Sequence, residues 1–228
     1  AERLSGRYPS NITVTANPTE GGTVTGGGVY PYGSEVIVNA IPAEGYAFRW
    51  WLKDNEIVST DAFWSFTAVE DLNLVAYFSS INTLSIPTNL IGYVDKPVTV
   101  PVYLDNPIDN VYGFQFDIEL GDLTYVEGSA TVADRTSSNF YIVATVIDGN
   151  VLRVLGYSIP PTPVSGTYGD ICTFDVMPSA EGNYLLPITN DVLSDEAGNI
   201  LYSYAPLSGL VIVGAMQEYV INAIANPA

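Results

Sequence analysis

Valine, isoleucine, threonine, tyrosine and phenylalanine recur through this chain in short alternating runs, interrupted throughout by 20 glycines and 15 prolines. β-Branched and aromatic side chains suit the pleated, half-buried surface of a strand, and Gly and Pro mark the points where the backbone turns. Val36, Val38 and Ala40 alternate with Ile37, Asn39 and Ile41, a period of two that suits a sheet with at least one buried face. No window of about 11–18 residues sustains a helical period before the last dozen positions. The chain is therefore confined to all-β architectures. Its 228 residues exceed the common domain size, which is about 100–150 residues, and two domains fit better than one.

Hydrophobic residues make up 47% of the chain and charged residues 14%, enough apolar material to fill a core. The net charge of −18, from 25 acidic and 7 basic residues, repels phosphate backbones and supplies no basic stripe, which excludes nucleic acid as a partner. The acidity reads as a solubilising surface, with divalent-cation binding as the sharper alternative. The single cysteine, Cys172, sits in the apolar run Ile171-Cys172-Thr173-Phe174 and reads as a small buried hydrophobe. No disulfide can form within the chain, and a chain of this length can rely on its cores instead. No apolar stretch approaches the roughly 18 residues of a membrane span, and Ala1-Glu2-Arg3-Leu4 is not a signal peptide. For an exported protein this places the targeting segment and any anchor outside the sequence.

In the first unit, strands are expected near Ile12–Ala16, Thr23–Thr25, Glu35–Ile41, Ala47–Leu52, Phe63–Thr67 and Leu72–Phe78. Gly21-Gly22, Gly26-Gly27-Gly28, Gly33 and Gly45 punctuate them. Gly22 and Val24, Ala40 and Pro42, Gly45, Tyr46, Phe48 and Trp51, and Leu74, Ala76 and Phe78 fit the pattern Gly-Gly-x-Val, Ala-x-Pro, Gly-Tyr-x-Phe-x-x-Trp and Leu-x-Ala-x-Phe. This run resembles the divergent β-repeat of large bacterial surface proteins, related to the internalin B-repeat. The resemblance implies a small β-grasp-like unit that serves as a tandem spacer or adhesive stalk and carries no catalytic residues.

After Ser79-Ser80-Ile81-Asn82, further strands are expected near Leu84–Ile86, Val98–Leu104, Val111–Leu120, Tyr125–Val132, Phe140–Ile147, Val151–Tyr157, Asp170–Met177, Tyr184–Ile188, Ile200–Tyr204 and Leu210–Val213. Many short strands separated by Asp-Asn-Pro, Asp-Gly-Asn and Ala-Gly-Asn turns argue for a sandwich, and no helices are written between them for a parallel α/β sheet. Val98-Thr99-Val100-Pro101-Val102-Tyr103-Leu104, Tyr112-Gly113-Phe114-Gln115-Phe116-Asp117-Ile118, Val151-Leu152-Arg153-Val154-Leu155 and Ile171-Cys172-Thr173-Phe174-Asp175-Val176 follow one another in an order similar to that of cohesins and related sugar-binding modules. The resemblance implies a jelly-roll, cohesin-like β-sandwich.

The tail Ile221-Asn222-Ala223-Ile224-Ala225-Asn226-Pro227 shares Ile, Ala, Asn and Pro at equal offsets with Ile12-Thr13-Val14-Thr15-Ala16-Asn17-Pro18. It reads as the first strand of another repeat. The expected division is 1–81 for the β-repeat domain, 82–214 for the sandwich, and 215–228 for a linker and the start of a possible next repeat.

Histidine is absent, which removes Ser-His and Cys-His nucleophile pairs and His-rich zinc sites. Gly26-Gly27-Gly28 lacks the Lys-Ser/Thr of a phosphate loop. No acid pair sits in a catalytic phrase, so no enzyme activity, catalytic residue or cofactor is expected. Asp191, Asp195, Glu196 and Asn199 cluster near Gly198, and Asp105-Asn106 lies close to Asp109-Asn110, but both groups read as turns and no metal is assigned to either. Trp51 belongs to the motif and reads as core, as do Trp64 and Phe66. Trp50, adjacent to Trp51 and so on the opposite face, is the one candidate ligand-binding residue, either an exposed platform for a sugar ring or a surface covered by the neighbouring domain.

The leading reading is a non-catalytic extracellular or cell-surface protein in which a β-repeat spacer carries a cohesin-like module for protein association or adhesion. The alternative is a carbohydrate-binding module of a surface glycan-processing protein. Exposed coplanar rings on one sheet face favour sugar, and a flat polar face with a few apolar spots favours a protein partner.

Overall fold

The computed structural model describes residues 8–136 and 138–215, so the expectation for the strand-like tail at 221–227 lies outside the described residues. The chain divides into two compact units at Ile81 and Asn82.

The first unit contains β1 (Ser10–Asn17), β2 (Gly22–Thr25), β3 (Gly28–Tyr30), β4 (Glu35–Pro42), β5 (Tyr46–Lys53), β6 (Glu56–Ser59), β7 (Phe63–Thr67) and β8 (Leu72–Ser80). These form two sheets, ordered β3-β1-β8-β5-β6 and β2-β4-β7. The first and last strands lie parallel at the centre, from Ile12 beside Leu72 to Asn17 beside Tyr77, and this is the β-grasp-like feature of the unit. Between the sheets, Ile12, Leu74, Ala76, Phe78 and Trp51 meet Val36, Val38 and Ala40 in a closed core. The alternation in β4 is borne out, since those three are buried while Ile37 and Ile41 face solvent. A Cβ on Gly22 would stand 2.6 Å from the Phe78 ring, so the Gly-Gly of the motif is what lets β2 cross that aromatic.

The spacing of the tryptophan motif has a geometric cause. β5 shifts register against β8 between Phe48 and Trp50, with Phe48 opposite Phe78, Trp50 opposite Tyr77 and Trp51 opposite Ala76. Arg49 is the extra residue of a bulge. In a regular strand, residues three apart face opposite ways. The bulge brings both Phe48 and Trp51 onto the core side, their rings 5.8 Å apart. Trp50 is left on the outer face.

The second unit contains β9 (Thr83–Ser85), β10 (Leu90–Tyr93), β11 (Val98–Asp105), β12 (Gly113–Glu119), β13 (Leu123–Tyr125), β14 (Thr131–Val132), β15 (Phe140–Ile147), β16 (Val151–Ser158), β17 (Tyr168–Pro178), β18 (Gly182–Leu186), β19 (Ile188–Ser194), β20 (Ile200–Leu201) and β21 (Gly209–Gly214). One face of the core is the sheet β15-β16-β12-β19-β20. The sheets β13-β17-β11-β9, with β14 on β17, and β10-β21-β18 complete the unit. Phe114, Phe116, Ile118, Leu152 and Val154 fill the core against Val100, Val102, Ile171, Phe174 and Val211. Cys172 is fully buried there, as expected, and burial pushes its thiol pKa up.

Several sequence boundaries differ from the structure. The strands Gly28–Tyr30, Glu56–Ser59 and Leu90–Tyr93 lie outside the expected set. Tyr125–Val132 is not one strand, because the chain turns after Val126 through Gly128, whose φ is +76°, before β14 forms. Tyr184–Ile188 is also not one strand. Pro187, which has no N–H to give a ladder, separates β18 from β19, and these belong to different sheets. Ile200–Tyr204 contracts to the two residues of β20.

Candidate protein-association face

Alternation along β12, β15 and β16 sends one set of side chains inward and leaves the other on a broad outer face. Register then sets the rows. Tyr141 lies opposite Tyr157, Val143 opposite Leu155 and Thr145 opposite Arg153. The rows continue from Tyr157 to Gly113, from Leu155 to Gln115 and from Arg153 to Asp117, then from Gly113 to Ser194 and from Gln115 to Val192. Tyr141 is 53% exposed, Val143 49%, Leu155 39% and Tyr157 37%, a contiguous apolar patch on one sheet face. The two tyrosines stack across the strands, with centroids 5.5 Å apart and planes at 22°. Gly113 leaves a gap in the tyrosine row, which becomes a shallow depression of about 240 Å³ bordered by Gln115, Leu155, Tyr157 and Val192.

A charged pair anchors this face. Asp117 is 1% exposed although it points outward, because its neighbours cover it. Arg153 donates from Nε to Oδ1 at 2.7 Å and from Nη2 to Oδ2 at 2.7 Å, a bidentate pair. Asn190 Nδ2 donates to Oδ2 at 2.9 Å. Asn190 lies at the register shift of β19 with φ +50°, and this bulge accompanies its reach to Asp117. Hydrogen bonding from Arg153 is the largest cause holding the Asp117 carboxyl below its ordinary pKa. A depressed folded-state pKa gives stability that is fully present above the unfolded value, about 4, and lost as pH falls through the folded one. Asp117→Asn should therefore be less stable than the parent at neutral pH, and the gap should close on acidification below about pH 4, as read from denaturant titrations at stepped pH.

The opposite outer surface, on β11 and β17, has different chemistry. Thr99 donates to Asp175 at 2.7 Å and Thr131 pairs with Thr173 at 3.0 Å, so its side chains satisfy one another. The stacked Tyr103 and Tyr168, 5.9 Å apart, are its aromatic pair.

Asp195 accepts from Asn199 N at 2.8 Å and from Asn199 Nδ2 at 2.9 Å, which closes the hairpin turn between β19 and β20. Asp191 lies on β19 beside Leu201 and Tyr202, with Oδ2 sealed from solvent. Asn106 donates to Asp109 O at 2.7 Å, and Asn82 to Asp109 Oδ2 at 2.7 Å, so these groups serve a loop network. Among the described residues no three His, Cys, Asp or Glu side chains are grouped to hold a metal. In the first unit Trp51 is fully buried, with Nε1 donating to Asp61 O at 3.2 Å. Trp64 and Phe66 pack on the core, 4.5 Å apart, and are half-buried. Trp50 is half-buried and stacked on Tyr77, with centroids 5.3 Å apart and planes at 5°, so that one ring face is engaged by Tyr77.

Residues 12–82 match the family model of the Divergent InlB B-repeat domain. The second unit has the cohesin fold. The sixth cohesin of scaffoldin B from Acetivibrio cellulolyticus, solved in complex with a mutant Cel5 dockerin, is 19% identical with a TM-score of 0.50, covering 59% of this chain and 100% of that one. A non-cellulosomal cohesin from the archaeon Archaeoglobus fulgidus is 16% identical with a TM-score of 0.49, covering 60% and 93%. The cohesin module of a family 33 glycoside hydrolase from Clostridium perfringens is 13% identical with a TM-score of 0.45, covering 59% and 98%. No curated protein sequence matches the chain. At 19% identity the likeness to the Acetivibrio cohesin shows the fold of the second unit and leaves its binding chemistry to its own residues. No helix among the described residues of the B-repeat or cohesin-like unit is long and apolar enough to cross a membrane.

Proposed function

We propose that this is a non-catalytic modular protein of the cell surface or extracellular space, in which the B-repeat unit acts as spacer and the cohesin-like unit binds a partner protein. The division into domains at 1–81 and 82–214, with 215–228 as a linker leading to a possible further repeat, belongs to the same reading. The placement outside the cell rests on the B-repeat resemblance. One observation carries the choice of surface: the outer face of β15-β16-β12-β19-β20 leaves Tyr141, Val143, Leu155 and Tyr157 uncovered beside a neutralised Asp117–Arg153 pair. The outer face of β11 and β17 satisfies its own polar groups. Tyr141 and Tyr157 are stacked on one another and not laid side by side in one plane, so they form no shared platform for a sugar ring, and with Val143 and Leu155 beside them they suit the aromatic anchors and dry centre of a protein interface, the ion pair lying at its margin. The dockerin complex of the Acetivibrio relative supports a search for protein partners first.

The test is a binding screen of secreted and surface proteins with the full chain, repeated with Leu155→Arg. A genuine partner on this face loses about 2 kcal/mol or more of affinity with that variant, a roughly thirtyfold weakening. Binders indifferent to Leu155→Arg would move the site elsewhere. The second reading, glycan binding, rests on the Trp50–Tyr77 stack on the outer face of the B-repeat unit. A glycan array separates the two, because glycan binding lost with Trp50→Ala and retained with Leu155→Arg would replace the protein-partner reading.

A further inference from the structure

Sheet edges expose unpaired backbone donors and acceptors, and proteins protect them with short strands, charges, proline or bulges. Among the described residues, every sheet end but one follows the rule. The terminal strands β2, β3, β6, β7, β9, β10, β13, β18 and β20 have two to five residues each. The exception is β15. It runs for eight residues, Phe140-Tyr141-Ile142-Val143-Ala144-Thr145-Val146-Ile147, with no charge, proline, glycine or bulge.

The direction of its backbone groups follows from the ladder. Ile159 N donates to Asn139 O at 3.1 Å, in line with the register of β15 on β16. Antiparallel pairs alternate between bonded and non-bonded. Tyr141, Val143, Thr145 and Ile147 therefore bond to β16, and Phe140, Ile142, Ala144 and Val146 turn their N–H and C=O groups to the open edge. The other side of β16 agrees, since Leu120 N donates to Asn150 O at 3.2 Å, which assigns the even residues of β16 to β12. None of the described loop or side-chain hydrogen bonds reaches the four edge-facing residues. A depression of about 280 Å³, bordered by Tyr125, Glu127, Thr145 and Val146, opens beside this edge.

We propose that β15 is a self-pairing edge, through which two copies of the chain join antiparallel about a two-fold axis at Val143. The sequence is self-complementary in this register. Phe140 meets Val146 of the second copy and Ile142 meets Ala144, so each edge-facing residue lies opposite another edge-facing residue. The pairing closes about eight backbone hydrogen bonds. On the outer face Val143 meets its own copy and Tyr141 meets Thr145, and β15 itself brings no charged residue to the contact. Asp148, which follows the strand, falls at opposite ends in the two copies. An isologous contact of this kind closes on itself and stops at a dimer. The chain's net charge of −18 acts against it at long range, so salt should strengthen the dimer, contrary to the behaviour of a charge-complementary complex.

The experiment is sedimentation of the full chain over a wide concentration range at low and high salt, with amide exchange of β15 in parallel. A concentration-dependent dimer, tighter in salt, is expected, with the amides of Phe140, Ile142, Ala144 and Val146 gaining protection as it forms. Val146→Pro removes an edge-facing N–H and no bond to β16, and should weaken the dimer about tenfold or more. Val146→Lys sets a charge opposite Phe140 and should do the same if proline perturbs folding. Val146 points away from the association face, so the outcome is independent of that surface. A monomer at all concentrations, or a dimer that keeps its strength in both variants with those four amides unprotected, would overturn the proposal.

Discussion

Arg135→Ala is expected to destabilise the cohesin-like unit by about 3–5 kcal/mol, through loss of a buried hydrogen-bonding hub. Arg135 is 6% exposed, and among the described residues its guanidinium bonds to carbonyl and amide oxygens. It donates to Ser165 O, to Leu104 O, to Asn106 Oδ1 at 2.6 Å and to Gly166 O at 2.7 Å. Three separate segments are thus tied by one side chain. Burial lowers the guanidinium pKa, and the Asp105 and Asp170 carboxylates oppose that shift. The start of β17 is shaped to receive it, because a Cβ on Gly169, at φ +137°, would stand 2.9 Å from Arg135 Cδ. Truncation leaves four acceptors to find water in a partly closed site, and each orphaned group costs about 1–3 kcal/mol. Lysine should restore little, since one ammonium cannot reproduce the planar fork.

The chain provides a probe for this measurement. Cys172 is its single cysteine and is fully buried in the cohesin-like unit, so thiol labelling under denaturant reports the opening of that unit. All three tryptophans, Trp50, Trp51 and Trp64, lie in the B-repeat unit, whose unfolding their fluorescence reports. Arg135→Ala should advance Cys172 labelling and leave the tryptophan transition in place. Equal shifts in both signals would mean that the units do not unfold separately.

What was legible in the sequence depended on whether the cause was local. The strands of β4 and β15 were plain from alternation, because the buried side of each is written at every second residue. The Phe-x-x-Trp spacing identified the B-repeat family, yet its bulge was legible only after the register placed Trp50 against Tyr77. The association face was within reach. The Asp148-Gly149-Asn150 turn was read as a turn, and counting back from the pair Ile147 and Val151 would have set Tyr141 beside Tyr157. Asp117 gave no such signal. Its burial depends on Arg153 and on Asn190, which lie 36 and 73 residues away in sequence. Arg135 is equally silent, since its partners come from two distant segments, 104–106 and 165–166, and nothing near it marks a buried charge. Pro187 carries a local signal, since a proline inside an apolar run marks a break in the ladder.

Trp51→Ala is expected to remove the cooperative unfolding transition of the B-repeat unit or to lower its stability by about 3–5 kcal/mol, the usual cost of truncating a buried aromatic. The unit is small, and its fully closed core consists of Ile12, Val36, Val38, Ala40, Trp51, Ala68, Leu74, Ala76 and Phe78. The indole is the largest of these side chains, and it bridges the two sheets while its Nε1 holds Asp61 O. Domains near this size retain only a few kcal/mol of net stability, so one such loss is comparable with the whole. Trp50→Ala makes the control. It removes a neighbouring indole from the outer face, where the stack on Tyr77 contributes about 0.5–1.5 kcal/mol beyond area burial, so the effect should be clearly smaller. Chemical denaturation followed through the remaining tryptophans compares the two variants directly. The bulge at Arg49 makes the order of these effects a strict test of the register. A larger loss for Trp50→Ala than for Trp51→Ala would mean that β5 is phased the other way and that the two rings have exchanged faces.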